Sequence, residues 1–475
     1  MSLLNISNEL IVIISEHLED QNDLHALAHA NRRLCYLVVP LLYQWNIKNM
    51  HGKGILQAAA HGSLSAVQRF IEKGFEVQYQ LGGHHFRDHP ILHAATYGHV
   101  EVVKYLLEQG SNPQFADKYH KTALHFASRN GFLSVIKVLL DQPGWKDTLK
   151  HPHFWGERVN PVQEAAFNRH REVVDYLLSK TPNEPDAVNV CLPDAAASGD
   201  TGLVIYLLLR GADINYQQFA KTASPRDVDN PWGEKKRGQT ALIAAARYGR
   251  VEMVQFLLSR GADFHCQVGF SWKGPTALIM AIIHGHEQVV RALLEHHDDD
   301  DGPDFHRGFQ TAIIESKPDI VRLFLSIHHD KHGQEDPHYS YERNMLAFAA
   351  KHVEGDTGLE IFKLFLDRGF DEEEALVAAV RSCRSAIVDL LLDRGVDPDV
   401  PTVKETSAVD AALGLPLDIP IIQRLRRAGA HIDPDTLDSL RLFSCMHVLE
   451  LVEQFPVLPF TRKPRKKSLR YQAEC

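Results

Sequence analysis

The sequence predicts an all-α protein: a short three-helix segment followed by an α-solenoid. Three observations carry that prediction. One pattern of paired short helices recurs from about residue 52 onward. Within each copy the apolar residues fall three and four apart, the spacing of a helix face. The opening stretch, ISNELIVIISEHLEDQNDLHALAHANRRL at 6–34, resembles nothing later in the chain.

The repeating unit is read most easily in HPILHAATYGHVEVVKYLLEQGSNPQFAD, residues 89–117. Pro90 suits a first helical turn, where its missing N–H costs nothing. Ala94 and Ala95 are small enough for a neighbouring helix to come close. Gly98 can end that helix in the left-handed conformation. Val102, Val103, Tyr105, Leu106 and Leu107 then supply the apolar face of a second helix, and Gly110 ends it before a turn-rich stretch. Copies start near Gly54, Lys121, Asn160, Cys191, Gly238 and Gly274, with Thr122, Thr240 and Thr276 where a helix N-cap oxygen is wanted. Shortened or interrupted copies begin at Thr311, Asn344, Ala375 and Ala408.

The spacing of about 33 residues and the TALxxAAxxG…VVxxLLxxGAD wording resemble the ankyrin repeat. The resemblance covers 52–434, about ten to eleven copies counting a period of about 33 residues, several of them degenerate. It implies helix pairs that bury their apolar faces only by stacking on their neighbours. It also implies protein binding rather than chemistry. His93, His99, His125 and His286 fall where the family uses histidine structurally. Connections are enlarged at 81–88, 141–158, 216–236, 266–273, 296–307 and 328–342. Trp145, Trp155, Tyr216, Trp232 and Trp272 lie in or beside them, and aromatic residues on loops are typical binding anchors. They are the candidate client-binding residues, with covering of a helix end beneath each loop as the other reading.

In the opening segment, Asn8 can cap a helix from Glu9 to about Leu18, and Asp23 can cap a second. On the second, Leu24, Leu27, Asn31, Leu34, Leu37 and Val38 share a face, Pro40 ends it, and LLYQWNIK forms a short third helix. So much Leu, Ile and Val in fewer than fifty residues needs a partner or the first repeat to cover it. Glu9-Leu10, Ile13-Ile14, DLHALAHANRRLCYLVVPLLY, and Pro40 and Tyr43 within it, resemble the F-box of filamentous-fungal proteins that carry C-terminal ankyrin arrays. Ile6-Ser7 stands where that family has Leu-Pro. The resemblance implies docking on the adaptor subunit of an SCF ubiquitin ligase and its cullin complex. Leu10, Ile13, Ile14, Leu24, Leu27, Leu34, Leu37 and Pro40 would form or support the docking surface, while the repeats hold a protein client. The other reading is a cap that shields the first repeat of an interaction scaffold with no link to ubiquitin.

The expected organisation is therefore an F-box-like domain at 1–48, the array at 52–434, and a capping helix with a basic, disordered tail at 435–475. The tail holds RKPRKKSLR, a nuclear-localisation-like run with Ser468 inside it. A net charge of −10 argues against a general nucleic-acid binder. The six cysteines are scattered without a CxxC pair, which points to reduced thiols in cytoplasm or nucleus. Leu10–Ile14 is too short to cross a bilayer. EHHDDDDG (295–302) and HHDKHGQEDPH (328–338) lie where the pattern places loops and lack metal-site spacing. No phosphate loop, nucleophile elbow or dinucleotide motif occurs. No cofactor, metal, membrane or nucleic-acid partner is expected, and neither is an enzyme; the chain itself is expected to be a monomer.

Overall fold

The computed structural model describes residues 6–18, 20–78, 89–119, 121–143, 160–181, 186–217, 238–268, 274–296, 303–332, 340–367, 372–399, 407–413 and 419–431. Its first three helices are α1 (Asn8–Glu16), α2 (Gln21–Ala30) and α3 (Arg32–Asn49). Ser7 rather than Asn8 caps α1, accepting from the Leu10 N–H at 3.4 Å. Asp20 rather than Asp23 caps α2, and Asn31 caps α3 through the Arg33 N–H at 2.8 Å. Ile11, Leu24, Ala28, Leu34 and Val38 form a small buried core, with Ile6, Leu18, Leu27, Leu37, Leu42 and Trp45 packed around it.

Two further sequence expectations are corrected here. The second helix breaks at Asn31, where an extended backbone lets the side chain cap α3. Pro40 does not end a helix but lies inside α3. A mid-helix proline costs about 3 kcal/mol. Packing on both sides of it offsets that cost: Leu34 and Val38 in the core, Tyr43 and Asn46 on the first repeat.

Arg33 holds the chain start in place. Its guanidinium donates to Asn8 Oδ1 (2.9 and 2.7 Å) and to the Ile6 carbonyl (2.7 Å). With no proline before α1, these bonds fix the approach of the chain to the helix. Arg33→Ala should therefore speed amide exchange at Leu10 and Ile11 about tenfold or more, for loss of about 1.5–3 kcal/mol of charge-assisted bonding. Unchanged exchange at those amides would refute the clamp.

The chain divides into two compact units, Met1–Gly274 and Pro275–Cys475. In the first, helix pairs stack on one another: α4 (Lys53–Ala60) with α5 (Leu64–Glu72), α6 (Pro90–Thr96) with α7 (Val100–Glu108), and α8 (Ala123–Arg129) with α9 (Leu133–Leu140). The series continues with α10 (Pro161–Phe167) and α11 (Arg171–Lys180), the short α12 (Asp186–Asn189), α13 (Leu192–Ser198) and α14 (Thr201–Leu209), then α15 (Ala241–Arg247) and α16 (Val251–Ser259). First helices pack side by side, which their alanines permit: Ala94, Ala95, Ala127, Ala165, Ala166, Ala195, Ala196, Ala244 and Ala245 are all buried. Thr240 caps its helix through the Ile243 N–H at 3.3 Å. Thr122 and His125 form a reciprocal capping box, and Asn160 and Gln163 form another.

A ladder of side chains links several repeats to their neighbours. His99 Nε2 donates to the Ala60 carbonyl at 2.8 Å, and His170 Nε2 to that of Arg129 at 3.0 Å. Each ring lies over the turn glycine of the preceding repeat, His99 over Gly62 and His170 over Gly131. Arg169 occupies the glycine position of its own turn with φ 65° and bonds the Ser198 carbonyl.

The second unit holds α17 (Ala277–Ile283), α18 (Glu287–His296), α19 (Pro303–Ile314), α20 (Pro318–His332), α21 (Ser340–His352), α22 (Gly355–Leu366), α23 (Glu372–Arg381), α24 (Ser385–Asp393), α25 (Ala408–Leu413) and α26 (Ile419–Arg427). Thr276 caps α17 through the Ile279 N–H at 3.5 Å. Phe305, Phe309, Phe324 and Phe365 pack ring to ring at 4.9–5.8 Å. Phe305 comes from a stretch expected to be loop: α19 begins at Pro303, inside 296–307, because proline pre-sets a first helical turn. Likewise His328–His332 end helix α20 rather than opening a loop.

Candidate functional site

Helix α1 turns one side inward and leaves the other bare. Ile11 and Ser15 are buried, Ser15 Oγ donating to the Ile11 carbonyl at 2.8 Å. Leu10, Ile13 and Ile14 are 53%, 49% and 41% exposed. They stand at i, i+3 and i+4, a continuous apolar stripe on the outer face. Beside them Glu9 is held below the usual carboxylate range by hydrogen bonds from its own backbone amide and from Ser7. Of the other predicted docking residues, Leu24 and Leu34 are core, while Leu27, Leu37 and Pro40 are half-buried or at the core's edge. They support the stripe rather than belonging to it. Tyr36, on α3, is 83% exposed and was not singled out from the sequence.

The C-terminal half of α3 faces the first repeat. The Tyr43 and Phe70 rings meet edge to face at 4.6 Å, and the Gly54 N–H donates to Asn46 Oδ1 at 2.9 Å. The same helix therefore builds the small N-terminal core and covers the end of the array.

Trp145, Trp155, Trp232 and Trp272 lie outside the described residues. Tyr216 is half-buried at a turn, its phenol pushed up by burial and by Asp186. The turn tips here are tied in series. The Asp213 N–H donates to Asn189 Oδ1, and the Asp263 N–H to Asn215 Oδ1, each at 2.8 Å. Burial, and then its bond to Asp263, push the Cys266 thiol up to about 11, so it is no nucleophile at neutral pH. His125 and His99 are engaged in a cap and in the ladder, as a structural role requires. Among the described residues no three His, Cys, Asp or Glu side chains gather as a metal site needs, and no helix is long and apolar enough to cross a membrane. A shallow depression between α22 and α24 is lined by Glu354, Leu359, Cys383 and Ile387, and its Arg384 is paired with Glu354.

Comparison with known proteins supports repeats in two stretches of the chain. Residues 55–151 and 194–304 match the family model described as "Ankyrin repeats (3 copies)". Over 185 residues the chain is 29% identical to the Ankyrin repeat and KH domain-containing protein mask-1 of Caenorhabditis elegans, covering 39% of this chain and 6% of that protein. It is 36% identical over 109 residues to the E3 ubiquitin-protein ligase XBAT33 of Arabidopsis thaliana, covering 22% of this chain and 17% of that one. The chain thus spans only a small part of these relatives. The crystal structure of the human ASB11 ankyrin repeat domain is 25% identical and covers 52% of this chain and 98% of its own, at a TM-score of 0.37.

Proposed function

We propose, on the premise that the chain carries ankyrin repeats and that such repeats bind proteins, that it is a non-enzymatic adaptor. The repeats hold a protein client. The three N-terminal helices act as an F-box and dock on the adaptor subunit of an SCF-type ubiquitin ligase. Holding a client beside the charged enzyme raises its effective concentration there, which needs no acid, base or nucleophile from this chain.

The observation that carries the docking half is the bare Leu10–Ile13–Ile14 stripe on α1. Its three side chains would lose contact with water only against a partner, at about 25 cal/mol per Å² buried. The Asn31-Arg32-Arg33-Leu34 phrase supports the reading, since Asn31 and Arg33 hold the three helices in register. A relative named as an E3 ubiquitin-protein ligase is in keeping with it.

A second reading, a scaffold whose N-terminal helices are only a cap, is favoured by the Tyr43–Phe70 and Asn46–Gly54 contacts. Pull-down of the purified cullin adaptor separates the two. The intact chain should retain it, and a Leu10→Asp, Ile14→Asp variant should lose at least tenfold in affinity, because both positions are already exposed and tolerate charge in the free protein. An intact chain that retains no adaptor would refute the F-box and leave the cap.

A further inference from the structure

The ends of the first helices in the N-terminal unit bring together a row of arginines and aromatics. Tyr97 follows the last residue of α6, and Arg129 ends α8. Phe167 ends α10, with Arg169 two residues on. Arg247 ends α15, and Tyr248 follows it. All six therefore sit at or just past the same point of successive first helices. Direct contacts put them on one side. Asn130 Nδ2 donates to the Thr96 carbonyl at 3.1 Å, and Arg169 Nε to that of Ser198 at 3.1 Å. The Phe167 and Tyr248 rings meet at 5.4 Å although α13 lies between their helices. They can do so because α13 offers only Ala195, Ala196, Ala197 and Ser198 there.

Tyr97, Arg129, Arg169 and Tyr248 are exposed, and the Arg129 guanidinium has no partner among the described residues. Arg250, which bonds the Ala197 carbonyl at 2.9 Å, adds a further positive charge to the row. Asp200 is the acid within it, and its carboxylate is engaged with the Leu203 N–H. In a chain with a net charge of −10, this is a local excess of positive charge set between aromatic faces.

We propose that this row is the client-binding surface and that its ligand is an extended, acidic peptide segment with interspersed aromatic or branched apolar residues. The assignment rests on the client-holding reading of the repeats and narrows it to one chemistry. Guanidinium groups pair with carboxylates in two-point geometry, and the rings between them take apolar side chains. Five first helices, from α6 to α15, are separated by about 8–10 Å each. That span matches roughly ten to twelve residues of extended chain at about 3.3 Å per residue. A nucleic-acid strand also pairs charge with stacking. The Phe167 and Tyr248 rings are turned edge-on to each other at 68°, which leaves no parallel pair of faces for stacked bases and favours the peptide.

The test is fluorescence anisotropy on the full-length chain with three labelled probes. One is a twelve-residue peptide of alternating Glu with Leu and Tyr, the second replaces each Glu by Lys, and the third is a twelve-nucleotide oligothymidylate. The acidic peptide should bind at least twentyfold tighter than its Lys counterpart, and several-fold weaker in 0.5 M salt than in 0.05 M. Arg129→Glu should weaken it tenfold or more, and Tyr97→Ala threefold or more, with melting temperatures unchanged because both side chains are exposed. Equal affinity for the two peptides, or an acidic-peptide affinity that Arg129→Glu leaves unchanged, overturns the proposal. Tighter binding of the oligothymidylate overturns it in favour of nucleic acid. The Leu10→Asp, Ile14→Asp variant should bind the acidic peptide normally, so loss of ligase docking and loss of this site are read separately. A client retained by the repeats in an Arg129→Glu variant that has lost the peptide would overturn this site and leave the client-holding reading standing.

Discussion

Gly131→Ala should destabilise the array by about 3 kcal/mol, whereas Gly261→Ala should cost about 1 kcal/mol. Both glycines have positive φ, 77° and 83°, so both substitutions carry the left-handed penalty of an L residue, about 1 kcal/mol. The difference lies in what a methyl group would meet. At Gly261 nothing stands within 4 Å, while at Gly131 the new carbon would lie 2.5 Å from His170 Nδ1 and 2.7 Å from its Cε1. The imidazole would have to move off, breaking its bond to the Arg129 carbonyl and with it a tie between two repeats. Thermal melting of the two variants beside the parent is sufficient. Equal losses would show that the ring is free to shift and that the ladder contributes little.

Acid should loosen the second repeat through His89. This imidazole caps α6: Nδ1 accepts the Ile91 N–H at 3.3 Å, Nε2 donates to the Val77 carbonyl at 3.0 Å, and the ring packs on Phe115. That pattern requires the neutral ring, because a protonated Nδ1 cannot accept. Burial lowers its pKa to about 4, with the nearby His93 adding to the effect and the bond to Val77 opposing it. The unfolded chain titrates near 6.5. Between about 6.5 and 4 the unfolded form therefore binds a proton that the folded form refuses. The contribution is complete above 6.5 and is lost as pH falls toward 4, by about 3 kcal/mol in all. Thr122, Thr240 and Thr276 hold the corresponding position in other repeats, so His89→Thr should keep the cap and remove the titration. Melting temperature against pH should fall less steeply for that variant between 6.5 and 4. Parallel curves would rule the effect out.

The elements that could be read from the sequence are those set by short-range chemistry. Pro90, Thr122, Gly98 and Gly110 act within a few residues of themselves, so their roles could be assigned without knowing the neighbours. The N-terminal boundaries could not. Asn31 is flanked by helix formers on both sides and breaks the helix only because Arg33 and the Ile11–Leu34 core fix the chain direction there. Pro40 looks like a stop because its local penalty is visible and the packing that offsets it is not. His89 as a cap was hidden for a related reason: imidazole is an unusual cap, and burial is what keeps it neutral. The Tyr97–Tyr248 row is scattered over about 150 positions and becomes one surface only when the first helices stack. The bare stripe of α1 was half legible, since Leu10, Ile13 and Ile14 share a face by spacing alone. Which side of α1 faces inward was decided by Ile11.

Helix α3 has a further consequence. A single run of 18 residues carries Leu34 and Val38 in one core and Tyr43 and Asn46 against the first repeat. With no joint between these two sets of contacts, the angular setting between the α1 stripe and the first helix pair is geared by helical pitch. One residue inserted after Pro40 would advance everything beyond it by about 100° and 1.5 Å. The stripe and the repeats could then each stay intact while facing one another at a different angle.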